Sequence, residues 1–316
     1  MYWFKLMRWK NLLIVFLTQV LAWACVILPL KTLTGATLLL NPLNFLCIAL
    51  ATVLIAAAGY IINDYFDIKI DIINRPEKVI LEKRIPMKQA ILMHSFLNVV
   101  GLLLALFVAL QAYHWGWVFF QLTCTILLWF YSTHFKRMFM TGNVIVALLT
   151  AFTIIVLIWY EPVLHDYALL KAITQIGSRK MPNPFWVLMI YTFFAFMLTW
   201  MREIVKDMED FKGDAEQGCI TMPIKWGLQR SQWFAQGLGI VAIIPLINGA
   251  YKLIKAGWWI LGSYAVLALV LPLIAWIYNL KKEATTQHYA KASKNIKIIM
   301  VLGICSLIIY YFEAHV

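Results

Sequence analysis

Charge is what this sequence has least of. Asp, Glu, Lys and Arg together make up 13% of its 316 residues, whereas a soluble globular domain carries about 25%. Cysteine is sparse as well. Cys25, Cys47, Cys124, Cys219 and Cys305 show no metal-ligating or redox spacing, and four lie in apolar runs where a thiol behaves as a small hydrophobe. Three motifs are missing too. There is no glycine-rich phosphate loop, no D-x-D-x-D-G calcium loop and no D-G-x-x-A-R string. P-loop NTPases, EF-hand proteins and CDP-alcohol phosphotransferases therefore lack the residues they need.

What is present is hydrocarbon. The chain is 63% hydrophobic with a mean hydropathy of +0.78. Nine apolar segments can be marked, near 11–30, 43–63, 87–111, 115–133, 143–160, 184–202, 232–250, 257–279 and 295–312. Each is about 17–25 residues long, the span of a bilayer core at 1.5 Å per residue. The expected fold is an all-α polytopic bundle of nine transmembrane helices in one domain, 1–316. The first segment follows Lys5, Arg8 and Lys10 and contains Ala22-Trp23-Ala24, which resembles a signal-peptidase site. Its apolar run continues through Val26-Ile27-Leu28, so it reads as a retained first helix.

The net charge of +12 then reads as a topology signal. Of the 27 Lys and Arg, three precede the first helix, and six lie between the second and third. Two follow the fourth, five follow the sixth and five follow the eighth. Only six occupy the other side. Positive residues stay inside, so the expectation is an integral inner-membrane protein with its N-terminus cytoplasmic and its C-terminus outside.

The acids are distributed differently. Eleven of the 15 fall at two places: Asp64, Asp67, Asp71, Glu77 and Glu82 after the second segment, and Glu203, Asp207, Glu209, Asp210, Asp214 and Glu216 after the sixth. Within them D-x-x-D-x-x-x-D occurs twice, as Asp64, Asp67, Asp71 and as Asp207, Asp210, Asp214, offset by 143 residues. The constant offset suggests two related halves. If each helix continues through its motif, the spacing i, i+3, i+7 puts three carboxylates within about 60° of one face. Like charges so close are unfavourable unless something neutralises them; solvated helix ends with ordinary charge are the other reading, but repetition at identical spacing favours a bound cation. Carboxylate oxygens suit Mg²⁺, which usually binds through one or two carboxylates plus substrate phosphates. Asn63 would add a neutral oxygen. The candidate metal ligands are Asn63, Asp64, Asp67, Asp71, Asp207, Asp210 and Asp214, and two facing clusters would hold a diphosphate. Basic residues are interleaved: Arg75, Lys78, Lys83 and Arg84 after the first motif, Arg202, Lys206, Lys212 and Lys225 around the second, and Lys136 with Arg137 after the fourth segment. Such a mixture fits a polyanionic leaving group, although the positive-inside rule also accounts for each cation singly.

The string Asn63-Asp64-x-x-Asp67-x-x-x-Asp71 followed by Asn74-Arg75-Pro76 resembles the first motif of the UbiA superfamily of intramembrane prenyltransferases. Arg8 and Asn11, Tyr131-Ser132 with Lys136, and Gly142-Asn143 are similar to family positions. The second motif, Arg202-Glu203-Ile204-Val205-Lys206-Asp207, continuing to Asp210 and Asp214, is most similar to the digeranylgeranylglyceryl phosphate synthase branch. The chain departs from the family after Pro76, where Lys78-Val79 stands in place of a second Arg-Pro. The resemblance implies Mg²⁺-dependent transfer of a prenyl group, geranylgeranyl by that branch, from its diphosphate to a lipid acceptor. It implies Asp64, Asp67, Asp207 and Asp210 as catalytic. Asn11, Asn63, Arg75, Lys78, Arg84, Tyr131, Lys136, Arg202 and Lys206 are then candidate substrate contacts. Tyr60, Tyr131 and Phe130 could shield an allylic cation, though in a chain with 15% aromatics interface-belt or packing roles are the commoner explanation. His94 and His134 are expected to be a packing and a surface residue, and no side chain presents itself as a general base. Two other readings stay open: an aromatic prenyltransferase of quinone synthesis, and a cation transporter, whose ionisable groups should line the membrane midplane instead.

Overall fold

Apolar runs of this length fold as helices because a backbone in hydrocarbon must satisfy its N–H and C=O groups within itself. The computed structural model describes residues 2–74, 76–77, 79–174, 181–280 and 285–314. Eight helices among them are long and apolar enough to cross a membrane. They are α1 (Trp9–Thr34), α2 (Pro42–Asn74), α3 (Met87–Gln111), α5 (Thr141–Trp159), α6 (Pro184–Glu209), α7 (Leu228–Lys255), α8 (Trp259–Asn279) and α9 (Thr286–Ala314). Between α3 and α5, where a full-length fourth span is expected, lie a 3₁₀ turn (Trp115–Val118) and α4 (Phe119–Thr133), which has 15 residues. No β-strand occurs among the described residues; one isolated bridge joins Leu81 to Ile85.

Two helices are irregular for an identifiable reason. α1 widens to a π-helix over Trp23–Ile27 and α8 over Ala265–Val270. Pro29 and Pro272 follow directly. A proline ring clashes with the carbonyl four residues back, here Cys25 and Ala268, and the π turns make room for it.

α2 packs along α3 and α4, α5 lies against α6, and α9 against both α6 and α1. The largest buried core sits at one end of the bundle, where Ile27, Leu40, Ile48, Leu157, Leu188, Trp258 and Leu307 meet. Acids outside the two motifs serve as backbone caps there. Glu161 accepts from Leu40 N at 2.9 Å and from Val163 N at 3.4 Å. Asp166 caps the short helix Tyr167–Ile173 through Leu169 N. Glu313 accepts from Ile260 N and Leu261 N at the start of α8. A second core joins α6, α7, α8 and α9, and a third joins the N-terminus to α2 and α3. The acidic motifs lie at the opposite end from Trp258 and Leu307, at the foot of α2 and α6.

Candidate active site

The two motifs begin alike and end differently. α2 runs unbroken for 33 residues through Asp64, Asp67 and Asp71 to Asn74, so the expected single face holds for the first trio. α6 stops at Glu209; Asp210 is a bend, and a six-residue helix, Phe211–Glu216, restarts in a new direction. Asp214 is therefore carried by a different helix from Asp207, which corrects the expectation of one face for the second trio.

The cause of the bend is visible in Asn74. Its Nδ2 donates to Asp210 O at 3.2 Å, and its Oδ1 accepts from Gly213 N at 2.9 Å. The amide occupies the space a side chain at 213 would need: a Cβ there would stand 2.5 Å from Nδ2 and 2.6 Å from Cγ and Oδ1. Glycine at 213 thus lets the end of α2 clasp the second motif. The sequence showed Asn74 only as part of a motif string and Gly213 only as a helix stop.

Lys136 sits between the motifs. Its Nζ donates to Asp67 Oδ2 in a short contact, and Asp210 is close enough to act on it electrostatically. Burial works against the Lys136 ammonium, but Asp67, Tyr131 and Asp210 outweigh it and hold its pKa above the usual lysine range. Lys136 is placed by the 3₁₀ turn Phe135–Arg137, which lies against the start of α5. Gly142 makes that approach possible, since a Cβ would fall 2.8 Å from Phe135 O and 2.9 Å from Lys136 Cα. One residue on, Asn143 Nδ2 donates to Asp207 Oδ2 at 2.8 Å.

Asp64 and Asp67 on α2 are held in similar fashion. Arg8, a left-handed residue (φ 53°) at the start of α1, donates to Asp64 Oδ1 at 2.7 Å and lies over the Tyr60 ring at 5.1 Å. Asn63 Nδ2 donates to Asp67 Oδ2 at 2.7 Å, while its Oδ1 is buried with no hydrogen-bond partner. Asp67 and Asp214 are each 4% exposed. Burial pushes the Asp214 carboxyl up to about 6; Lys136 opposes that and Asp210 and Asp67 add to it.

The donor set suits Mg²⁺. Among the described residues no three acid, His or Cys side chains close on a single point, which is not what a protein cage for Ca²⁺ looks like. Mg²⁺ needs only one or two carboxylates, with waters and phosphate oxygens completing its octahedron. The orphaned Asn63 Oδ1 is a further oxygen already desolvated, and a cation would relieve the mutual repulsion that the carboxylates retain after Arg8 and Lys136 are counted.

The other expected residues differ in their surroundings. Tyr131 lies beside Lys136 and within electrostatic range of Glu203, Asp67 and Asp207, at the heart of the site. Arg202 and Lys206 both bond Glu203, at 2.6 and 3.4 Å, and Asn11 accepts from Lys297 on α9 in a short contact. Arg84 is exposed and stacks on Tyr2 at 5.4 Å, so it is not brought to the carboxylates. Arg75 and Lys78 lie outside the described residues. Phe130 is 44% exposed and packs against Phe135 and His134, a belt position. His94 is buried and bonds Ala58 O, and His134 is exposed, both as expected. Four residues were absent from the candidate contacts: Arg8, Asn143, Glu203 and Lys297. For Lys297 the signal was available, since an ionisable residue inside an apolar span is functional by default.

Comparison with known proteins places this geometry. The sequence model of the UbiA prenyltransferase family matches residues 20–296. The digeranylgeranylglyceryl phosphate synthase of Thermococcus sibiricus is 29% identical over 290 residues, covering 90% of this chain and 92% of the relative. That of Methanococcus maripaludis is 30% identical over 263 residues, 81% of each chain. A solved structure described as digeranylgeranylglyceryl phosphate synthase superposes with a TM-score of 0.61 at 25% identity, covering 99% of this chain and 97% of its own. A UbiA homologue from Archaeoglobus fulgidus, bound to DMAPP and Mg²⁺, has the same fold at a TM-score of 0.53 and 16% identity, covering 97% of this chain and 99% of its own.

Proposed function

The chain belongs to the UbiA prenyltransferase family, and we propose that within it this protein transfers a geranylgeranyl group from its diphosphate to the free glycerol hydroxyl of a geranylgeranylglyceryl phosphate. The observation that carries the donor half is the convergence of two acidic motifs on Lys136. The acceptor half is supported by the second motif and by relatives named for the product that this transfer would give, digeranylgeranylglyceryl phosphate.

Asp64, Asp67 and Asp71 on α2, with Asp207, Asp210 and Asp214 and the free Oδ1 of Asn63, would hold Mg²⁺. When bound, Mg²⁺ neutralises the diphosphate and stabilises the charge that grows on it as the C–O bond breaks. The chain's own groups act beside it. Lys136 meets the same developing charge from between the motifs, and the site is organised before substrate arrives because Asn143 and Arg8 already bond Asp207 and Asp64, and Asn74 bonds the backbone at Asp210 and Gly213. The C1–O bond of the donor breaks with its electrons passing to the diphosphate. The glycerol oxygen then bonds to C1, and its proton is released to water. An allylic cation captures a hydroxyl with little help from a base. We place the N-terminus and the acidic motifs on the cytoplasmic face, as the 21-to-6 distribution of Lys and Arg indicates, and treat residues 1–316 as one catalytic unit.

The test is to incubate membranes with labelled geranylgeranyl diphosphate and a panel of acceptors and to identify the product by mass. The expected product is a digeranylgeranylglyceryl phosphate. Prenylation of 4-hydroxybenzoate, dihydroxynaphthoate or homogentisate instead would overturn the acceptor assignment and leave the donor chemistry intact.

A further inference from the structure

The site is electrically polar, and only its acidic pole is used by the donor. A second pole of opposite sign lies where α1, α6 and α9 meet. Lys297 is eleven residues inside α9, about 16 Å from its start at 1.5 Å per residue, within a span and not in a loop. Its ammonium donates to Asn11 Oδ1 on α1, a neutral partner that accepts a bond without offsetting a charge. The groups that act on it electrostatically are Arg202 on α6 and Lys10 at the start of α1, both cations. Glu203, the acid beside that arginine, is 6% exposed, and it is already shared between Arg202 and Lys206. Three cations, Lys297, Arg202 and Lys10, thus gather where three packed helices meet, and the acid that Arg202 bonds is shared with Lys206.

Gathering like charges in a partly desolvated site is costly unless an anion completes it. The positive-inside rule explains cations in loops and at helix ends. It accounts for the side of the membrane on which Lys297 and Arg202 lie, but not for a side-chain amide that holds the lysine toward the arginine. Glu203 orients that arginine by a bond to Nη1, leaving the rest of its fork of donors for a ligand. On the reading above the donor's diphosphate would be held with the carboxylates, so the anion here is a second one. The poles adjoin one another, since Arg8, bonded to Asp64, also acts on Glu203.

We infer that Lys297 and Arg202, with Lys10 at the rim, form the subsite for the phosphate monoester of the acceptor, held by Asn11 and Glu203 in their present orientation. This rests on the acceptor reading above. The subsite anchors a phosphorylated glycerol at the basic pole, so that its free hydroxyl is presented toward the donor carbon at the acidic pole. It also supplies discrimination: an acceptor without the phosphate would leave the cations unmatched.

The experiment is steady-state transfer by the full chain in proteoliposomes, with the acceptor concentration varied at saturating donor and the reverse. Three proteins are compared: wild type, Lys297→Met and Lys297→Arg. Losing a charge-assisted bond is expected to raise the acceptor KM of Lys297→Met by about tenfold or more, while the donor KM stays within about twofold and Lys297→Arg recovers most of the loss. With the dephosphorylated glycerol ether as acceptor, wild type and Lys297→Met should be equally poor. An unchanged acceptor KM, or donor and acceptor KM rising together, overturns the inference. Should Lys297→Met be inactive throughout, Lys10→Gln at the exposed rim decides in the same way: a raised acceptor KM supports the subsite and an unchanged one refutes it. If wild type itself fails to use any phosphorylated glycerol ether, the acceptor reading has failed first, and the subsite with it.

Discussion

Replacing Gly213 with Ala adds one methyl group, and the structure says where it goes. It would stand 2.5–2.6 Å from the amide of Asn74, inside any tolerable contact, so the amide must leave. Two hydrogen bonds go with it, Gly213 N to Asn74 Oδ1 at 2.9 Å and Asn74 Nδ2 to Asp210 O at 3.2 Å. Each is worth about 0.5–1.5 kcal/mol, and stranding the buried Gly213 N–H adds about 1–3 kcal/mol, so a loss near 3 kcal/mol is expected at this junction. The functional loss should be larger in proportion. Asp210 and Asp214 flank the bend that Asn74 fixes, and a displacement of about 1 Å in a catalytic group can cost about a hundredfold. The assay is a double-mutant cycle with Asn74→Ala, reading prenyl-transfer rate and unfolding midpoint in detergent. Asn74→Ala removes both bonds and opens the space that the new methyl needs. The second substitution should therefore cost little once the first is made, giving a coupling of about 1 kcal/mol or more. Additive effects, with Gly213→Ala equally harmful in both backgrounds, would refute the clasp between α2 and the second motif.

Further outcomes follow from the same structure. Lys136→Met leaves Asp67, 4% exposed, without its cation, and transfer should fall by about a hundredfold or more in initial-rate assays, with geranylgeranyl diphosphate affinity reduced; near-normal turnover would remove Lys136 from the site. Chelation should abolish transfer and added Mg²⁺ restore it, and Asp64→Asn should raise the Mg²⁺ concentration required for half-maximal rate. At the other end of the bundle, burial raises the pKa of Glu161 above its ordinary value while the Leu40 and Val163 amides lower it in part. An acid whose folded pKa is raised is most favourable to folding below its unfolded pKa, and that contribution is lost as pH rises through the folded value. Glu161→Gln should therefore flatten the dependence of the unfolding midpoint on pH just above the ordinary glutamate range, and an unchanged slope would show that Glu161 does not titrate there.

Much of this was legible in the sequence because hydropathy is a one-dimensional signal. The spans, the two acidic motifs and their pairing needed only runs and spacings, and Asp64, Asp67 and Lys136 were named from them. What spacing could not show was a break in a helix caused by a residue far away. Asp207 and Asp214 keep the i, i+7 interval of the first motif, but Asn74 on α2 holds α6's continuation in a bend, and that contact spans 139 residues. The partners of the carboxylates were hidden for the same reason, as Arg8 lies 56 residues from Asp64 and Asn143 lies 64 from Asp207. Arg84 shows the opposite error. Its position beside the first motif suggested a phosphate contact, whereas the loop turns it outward onto Tyr2. The short α4 was misjudged in length because a 3₁₀ turn at Trp115–Val118 is as apolar as the helix it precedes. Acids such as Glu161 and Glu313 carried no pattern at all, because a cap is defined by the backbone it meets.

The central claim is that the carboxylates of α2 and α6 act together on a prenyl diphosphate through Mg²⁺. It is tested most directly by measuring Mg²⁺-dependent geranylgeranyl transfer in proteoliposomes for wild type and for Asp64→Asn combined with Asp207→Asn. The double variant keeps every side-chain volume and removes one charge from each motif. Loss of transfer, with the protein still inserted and folded, is the predicted result; transfer at the wild-type rate would contradict the account.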